Sequence, residues 1–277
     1  GLIGHTVYLF LQKSNLFQLY NLAYSRKVDK ETKLLDATDF NLLKNYLETI
    51  KPDIIVNCIG ILISESNANP KKAIILNALL PHFLKDFSKN QKSKLIHVST
   101  DCVFSGDKIN SYVENDEKDG KGYYAKTKGL GEIIDSKNLT LRTSVIGPEL
   151  KPNGEELFNW FMSQNESING YINAYWSGVT TIELAKSVLW AIEKNIVGLY
   201  NVTNGIRISK YELLSLINNI TGKEIKIVPF KNKLLDKSFI DTRMEKDYKI
   251  PSYNKMILDM IEYIKLNSSR YPHYTIR

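Results

Sequence analysis

Cysteine is nearly absent from this 277-residue chain, which carries only Cys58 and Cys102. Two thiols are too few for a disulfide scaffold and lack the spacing of zinc ligands, so free thiols in a reducing compartment are expected. Long apolar runs are missing as well: nothing approaches the roughly 20 residues that cross a bilayer. The run Val7-Tyr-Leu-Phe-Leu11 follows Gly4-His5-Thr6 instead of a basic region, and no small-residue cleavage site follows it, so it does not read as a signal peptide. A cytoplasmic protein without membrane attachment is the expectation. A sustained basic stripe is also lacking. The net charge is +7, but lysines mix with acids, as in Lys118-Asp-Gly-Lys121, which disfavours nucleic acid and favours a generally cationic surface suited to anionic small molecules. There is no internal repeat, no low-complexity linker and no carboxylate cluster that argues for a metal. With 43% hydrophobic and 24% charged residues, the composition is that of an ordinary globular protein.

Up to residue 147, short apolar runs alternate with helical patterns. Helices are expected over 2–14, 40–50, 73–87 and 123–134, and strands over 19–23, 34–35, 54–59, 94–98 and 139–142. Continuous Ile/Val runs such as Ile54-Ile-Val56 mark strands buried on both faces, and their interleaving with helices predicts an α/β protein with a doubly wound, Rossmann-like parallel sheet. Residues 148–277 read as a smaller C-terminal α/β substrate-binding lobe, interleaved with the sheet and not independent of it. Its helices are expected at 155–163, 180–194, 209–221 and 254–266, and its strands at 198–202 and 225–229. Thr181-Ile-Glu183 and Ser209-Lys-Tyr-Glu212 carry helix N-terminal signals, the second with capping-box spacing.

The chain opens Gly1-Leu-Ile-Gly4 directly before a helix, as the end of a dinucleotide-binding turn would, with backbone approaching a pyrophosphate at a helix N-terminus. A full fingerprint needs an earlier glycine and a preceding strand. That strand is central in a doubly wound sheet, so the expectation is that the native protein has residues ahead of Gly1 and that the polypeptide as written binds dinucleotide poorly. At the end of the second strand, where an acid would hold the ribose hydroxyls of NAD, stand Ser25 and Arg26. Arg26 suits a 2′-phosphate, with Ser25 hydrogen-bonding to it, which favours NADP(H), and NADPH over NADH; solvated loop residues are the alternative. Asp36 is placed to touch an adenine amino group or is an ordinary turn residue. Cys58, Ile59 and Gly60 end the next strand at the crevice where ligands bind, and Gly60 permits close backbone approach. Asn77, polar on an apolar helix, is either a cofactor contact or a satisfied structural amide.

Tyr124-Ala-Lys-Thr-Lys128 follows Ser99-Thr100-Asp101 by about two dozen residues. On a helix, Tyr124 and Lys128 share a face. A neighbouring ammonium would favour the phenolate and bring the tyrosine toward neutral working pH, while Thr100, ending an apolar strand, would offer a hydroxyl to the same reacting oxygen. Tyr123 has Thr127 four residues on and lacks this partner.

In chain order these segments, with Pro52-Asp-Ile-Ile-Val-Asn-Cys-Ile-Gly60, Leu76-Asn-Ala78, Val98-Ser-Thr-Asp-Cys-Val-Phe-Ser-Gly106, Tyr124-Ala-Lys-Thr-Lys-Gly-Leu-Gly-Glu132 and Leu141-Arg-Thr-Ser144, resemble the extended short-chain dehydrogenase/reductases, and among them the dTDP-4-dehydrorhamnose reductase family. The later part is similar more loosely, through Trp176-Ser-Gly-Val-Thr-Thr-Ile-Glu-Leu-Ala185 and Gly198-Leu-Tyr-Asn-Val202. The resemblance implies Thr100, Tyr124 and Lys128 as catalytic residues, with Tyr124 and Lys128 also touching the cofactor. It implies an NADPH-dependent reductase of the C4 ketone of a nucleotide-linked 4-keto-6-deoxy sugar, serving surface polysaccharide synthesis, with a homodimer as one assembly. Substrate contacts are expected from Thr100, Asp101, Val145 and Trp176; Trp176 lines the sugar site or packs in the core.

Departures fall where the sugar would bind: Val145-Ile-Gly147 stands where rhamnose reductases usually carry an aromatic residue, and Val179-Thr180 where they carry Pro-Thr. Sugar-nucleotide dehydratases need an Asp-Glu pair after the threonine, whereas Asp101 is followed by Cys102. Epimerases retain NAD and favour an acid where Arg26 stands. The alternative from another class is a non-catalytic NADP-binding module, since the regulatory β subunit of methionine adenosyltransferase resembles the same family.

Overall fold

The computed structural model describes residues 1–277 except 109, 233, 244–246 and 277. Helix α1 (Leu2–Ser14) closes on Asn15 in the left-handed region, φ 54°. It leads to β1 (Leu22–Ala23), β2 (Lys33–Leu34) and α2 (Phe40–Ile50). The Asp39 carboxylate caps α2 by accepting from the Leu42 N–H at 2.9 Å. Next come β3 (Ile54–Asn57), α3 (Ile63–Ala68), α4 (Pro70–Ala73) and α5 (Leu80–Asn90), the last two joined by a wider π turn at Ile74–Leu79. Then β4 (Lys94–Thr100), α6 (Gly122–Leu130), β5 (Leu139–Thr143) and β6 (Val145–Ile146) follow. The remaining chain forms α7 (Leu157–Ser163), β7 (Ile168–Tyr171), β8 (Ala174–Trp176), β9 (Val179–Thr180), α8 (Thr181–Glu193) and β10 (Gly198–Asn201). It ends with β11 (Ile208–Ser209), α9 (Lys210–Thr221), β12 (Ile227–Phe230), β13 (Leu235–Asp236) and α10 (Tyr253–Leu266).

The main sheet is parallel with strand order β10-β5-β4-β3, and β1 and β2 form a separate parallel pair. Among the described residues, β1 and β3 are not paired with each other, so the sheet is in two pieces where a doubly wound fold has its centre. Alternate residues of β4 enter opposite cores: Leu95 packs with Leu43, Leu47, Leu80 and Leu84, whereas Ile96 and Val98 pack with Val7, Leu184 and Val188. This two-sided burial is the physical reason that the strand sequence is continuously apolar instead of alternating. The later chain feeds the same body, since β10 pairs with β5 and α8 joins the core containing Ile96 and Val98.

Several boundaries differ from the periodicity. The helix expected over 123–134 stops at Leu130 because Glu132 turns into the core and Ile133 bonds through both backbone groups to the Thr140 hydroxyl. The helix expected over 73–87 widens at Ile74–Leu79. Strands of two to four residues, such as β6, β8, β9, β11 and β13, are too short to show a period. The capping box at Ser209 and Glu212 is present, and α8 is capped by Thr180, one residue ahead of the expected signal.

Glu132 meets Arg142 as a bidentate pair, at 2.9 Å from Nε and 2.7 Å from Nη2, with both side chains almost fully buried. The Ser99 hydroxyl donates to Glu132 at 2.7 Å, and the Lys118 ammonium stands 3.4 Å away. The Arg142 guanidinium also lies 4.9 Å from the Phe104 ring centre. Removing one partner strands the other charge in the core. Glu132→Ala is therefore expected to lower unfolding stability by about 3–5 kcal/mol in urea titrations, against a negligible change if the pair were a surface ornament.

Candidate active site

Parallel strands place all their carboxyl ends on one edge, and there Ala23, Cys58, Thr100 and Thr143 line a common cleft of about 910 Å³. Thr100 is both the last residue of β4 and the cap of the following turn: its hydroxyl accepts from the Cys102 N–H at 3.2 Å and donates to Asp101 at 3.1 Å. Helix α6 is brought against this turn by Gly120. The Gly120 N–H donates to the Val103 carbonyl at 2.8 Å, and a Cβ there would fall 2.4 Å from the Cys102 carbonyl oxygen. Lys118 secures the far end by donating to the Gly129 carbonyl at 2.6 Å. With the helix so fixed, Tyr124 and Lys128 both line the cleft, and the Tyr124 phenol lies close enough to the Thr100 hydroxyl to feel it.

Lys128 does not turn toward the phenol as the spacing suggested. Its ammonium donates inward to the Val98 carbonyl at 2.7 Å and stands 3.5 Å from His97 Nε2. Burial brings its pKa down to about 8, against the raising influence of Glu132 and Cys58. Tyr124 shifts in the direction opposite to the expectation: burial raises its pKa above the ordinary phenol value, with Cys102, Asp101 and Glu156 adding to the rise and only the nearby Thr100 hydroxyl opposing it. The physical reason is that desolvation of the phenolate outweighs a cation that is hydrogen-bonded elsewhere.

Gly1, Gly4, Ser25, Arg26, Asp36, Cys58, Ile59 and Gly60 all line the same cleft. Arg26 Nη1 donates to the Leu150 carbonyl at 2.6 Å, tying the β1 loop to the loop before α7. Asp36 accepts from both the Thr38 N–H (2.9 Å) and the Thr38 hydroxyl (2.8 Å), a local turn. Burial pushes the Cys58 thiol up to about 12, so it stays protonated. Asn77 is not at the cleft surface. Its oxygen accepts from the Ile61 N–H, and its amide nitrogen donates to the Ile61 carbonyl and the Thr127 hydroxyl. It is the satisfied structural amide of the two alternatives and fixes the loop after β3.

Val145 and Asp101 line the cleft. Trp176 does not: it is 3% exposed, packs in the core and against Tyr253, and has the Lys210 ammonium 5.3 Å from its ring centre. The substrate contact expected of it is corrected to a core role, because β8 carries the ring beneath the cleft wall. Glu149 and Glu156 also line the cleft and were not singled out in the sequence: Glu149 stands in a loop, and Glu156 falls inside the helix expected over 155–163 but caps its start in the structure. Burial, then the neighbouring Glu149, lifts the Glu156 carboxyl to about 7. Lys210, half-buried at the start of α9, faces Asp101 and Glu156, and burial lowers its pKa.

A doubly wound α/β fold with a Thr/Tyr/Lys cleft at the carboxyl edge defines the class as an extended short-chain dehydrogenase/reductase. The family model described as the RmlD substrate binding domain matches residues 2–237, and the chain belongs to that family. Among its relatives, dTDP-4-dehydrorhamnose reductase of Aggregatibacter actinomycetemcomitans is 24% identical over 248 residues, covering 84% of this chain and 81% of that protein. The structure is similar to that of dTDP-4-dehydrorhamnose reductase from Bacillus anthracis in complex with NADP (TM-score 0.75, 20% identity, 84% of this chain and 89% of that one). It is also similar to that of UDP-glucose 4-epimerase from Thermotoga maritima (TM-score 0.80, 18% identity, 97% of each chain). Fold alone therefore does not separate reductase from epimerase.

The residues present fit a dinucleotide. The first turn of α1 lines the cleft and no side chain caps it, which leaves backbone N–H groups for an anion. At Gly60 an added Cβ would lie 3.2 Å from Asn77 Oδ1, a tight contact, and 3.8 Å from Lys128 Nζ, so glycine keeps this wall low.

A raised carboxyl pKa means that the folded protein holds this proton more tightly than the unfolded chain. The Glu156 contribution to stability is thus complete below its ordinary value of 4.5 and is lost as pH rises through about 7. Glu156→Gln is expected to gain stability relative to the parent when urea midpoints are compared at about pH 5 and about pH 8; midpoints that move in parallel at both values would contradict the assignment.

Proposed function

We propose that the protein is an NADPH-dependent reductase of a nucleotide-linked 4-keto-6-deoxy sugar, of the dTDP-4-dehydrorhamnose reductase kind, working in the supply of surface polysaccharide precursors. The observation that carries this reading is the convergence of Thr100, Tyr124 and Lys128 in one cleft beside the glycine-lined start of α1. The name of the Aggregatibacter relative supports the substrate class, and the NADP complex of the Bacillus anthracis enzyme supports the cofactor.

When bound, the nicotinamide supplies the hydride for the ketone carbon. The protein's own task is to bind the sugar and to supply the proton that the carbonyl oxygen then needs. Tyr124 is suited to this because its pKa is raised: it reaches the reaction protonated instead of having to be loaded. Thr100 holds the same oxygen by turning its one hydroxyl hydrogen from Asp101, to which it donates in the free protein, to the substrate. Lys128, beside Gly60, is placed to hold the cofactor's ribose hydroxyls, and Asp101 and Val145 contribute to the sugar wall. Arg26 and Ser25 hold a 2′-phosphate; the Leu150 carbonyl takes one of the five guanidinium N–H groups and leaves the others free for it.

Tyr124→Phe is expected to lower the rate of NADPH oxidation by roughly 10²–10⁴-fold with a panel of 4-keto sugar nucleotides while the NADPH Kd stays near the parent value. Parental turnover in this variant would remove Tyr124 from the chemistry. If the parent binds NADPH and turns over no member of the panel, it is a binding module; interconverted sugars without net NADPH oxidation would mark an epimerase. Arg26→Ala is expected to weaken NADPH binding about tenfold or more and to leave NADH binding unchanged; equal losses for both would show that Arg26 acts only through the Leu150 loop.

A further inference from the structure

Behind Lys128 lies a buried pair of side chains that the proposed reaction does not use. His97, in the middle of β4, is completely buried, and Asn57, at the end of β3, is 2% exposed. The Asn57 side-chain oxygen accepts from the Ile59 N–H at 3.0 Å, which fixes the amide orientation and turns its NH₂ toward His97 Nδ1 at 3.1 Å. A nitrogen that accepts a hydrogen bond carries no proton, so the neutral ring bears its hydrogen on Nε2. That Nε2 faces Lys128 Nζ at 3.5 Å, while Nζ donates to the Val98 carbonyl at 2.7 Å.

We infer that His97 is a positioning residue for Lys128: its Nε2–H denies the amine any acceptor on the core side except the Val98 carbonyl and so directs the remaining ammonium protons into the cleft beside Gly60. Asn57 acts one step further back, by fixing the tautomer. The same N–H also disfavours the ammonium relative to the free amine, adding to the effect of burial. The other groups that face the pair are Glu132 and Cys58, which favour the ammonium, and His82 on the His97 side. Burial keeps His97 neutral, so its effect on Lys128 is constant through the neutral range. The inference rests on reading Lys128 as a cofactor-holding amine, but the geometry that carries it does not involve the substrate.

Two NMR measurements test it on the full chain. In ¹⁵N-histidine-labelled protein, the His97 ring, identified by its loss in His97→Phe, is expected to be neutral with a protonated Nε2 and a bare Nδ1 throughout about pH 6–9. A proton on Nδ1, in a ring whose assignment is confirmed by through-bond correlation to the His97 backbone of the parent, would overturn the inference without any variant having to fold. In ¹³C-lysine-labelled protein, the Lys128 signal, assigned with Lys128→Arg, is expected to titrate about one pH unit higher in His97→Phe than in the parent; an unchanged titration in a cooperatively folded variant would overturn it. Neither readout depends on turnover, so a failure of the reductase reading would leave both intact.

Discussion

The buried pair of Glu132 and Arg142 is the constraint on which the rest of the structure hangs. Glu132 follows α6, the helix that bears Tyr124 and Lys128; Arg142 is on β5; Ser99, which donates to the same carboxylate, precedes Thr100 on β4. Arg142 also reaches the Glu114 carbonyl and Asn201 on β10. One ion pair thus ties the reactive helix, the strand carrying Thr100 and the outer strand of the sheet. Burying two charges costs several kcal/mol each, and the bidentate geometry with the further hydrogen bonds from Ser99 and to Glu114 and Asn201 is what makes the arrangement tolerable. A buried pair of this kind replaced by apolar residues is often no less stable, so its contribution here is to hold the end of α6 to β5 and β4.

The same low dielectric sets the chemistry of the cleft. Desolvation is the largest influence on Tyr124, Lys128, Cys58 and Glu156 alike. It favours the neutral form of each, raising the acids and lowering the amine. The site is accordingly a set of protonated donors and a weakened cation, and not the phenolate–ammonium pair that spacing alone suggests. For a reaction whose protein-borne step is donation of a proton to an oxygen, a phenol kept neutral is a usable starting state.

Much of this was legible in the chain. The continuous apolar runs around Ile54 and Leu95 identified strands covered on both sides, Ser209 and Glu212 form the capping box that their spacing announces, and the motifs that resemble short-chain reductases lie along one cleft. Other residues were ambiguous because their environment is assembled from distant segments. Asn77 becomes a structural amide only because Ile61 and Thr127, 16 and 50 residues away, meet it. Trp176 becomes a core residue because Tyr253 and Lys210 cover it. Glu156, expected inside a helix and found at its N-terminal cap, acquires its raised pKa from burial and from Glu149.

The sequence by itself determined what local spacing and residue chemistry can encode: the doubly wound class, the order of helices and strands, and the presence of a threonine, a tyrosine and a lysine at helical and strand-end positions. Only the tertiary structure decided which way those groups point and how strongly each holds its proton. The i, i+4 spacing puts Lys128 on the Tyr124 face, but the Val98 carbonyl, which arrives from β4, draws its amine inward to a position beside the His97 ring. Hydrogen-bond direction and desolvation depend on every atom around a group, and those atoms come from parts of the chain that no local pattern connects.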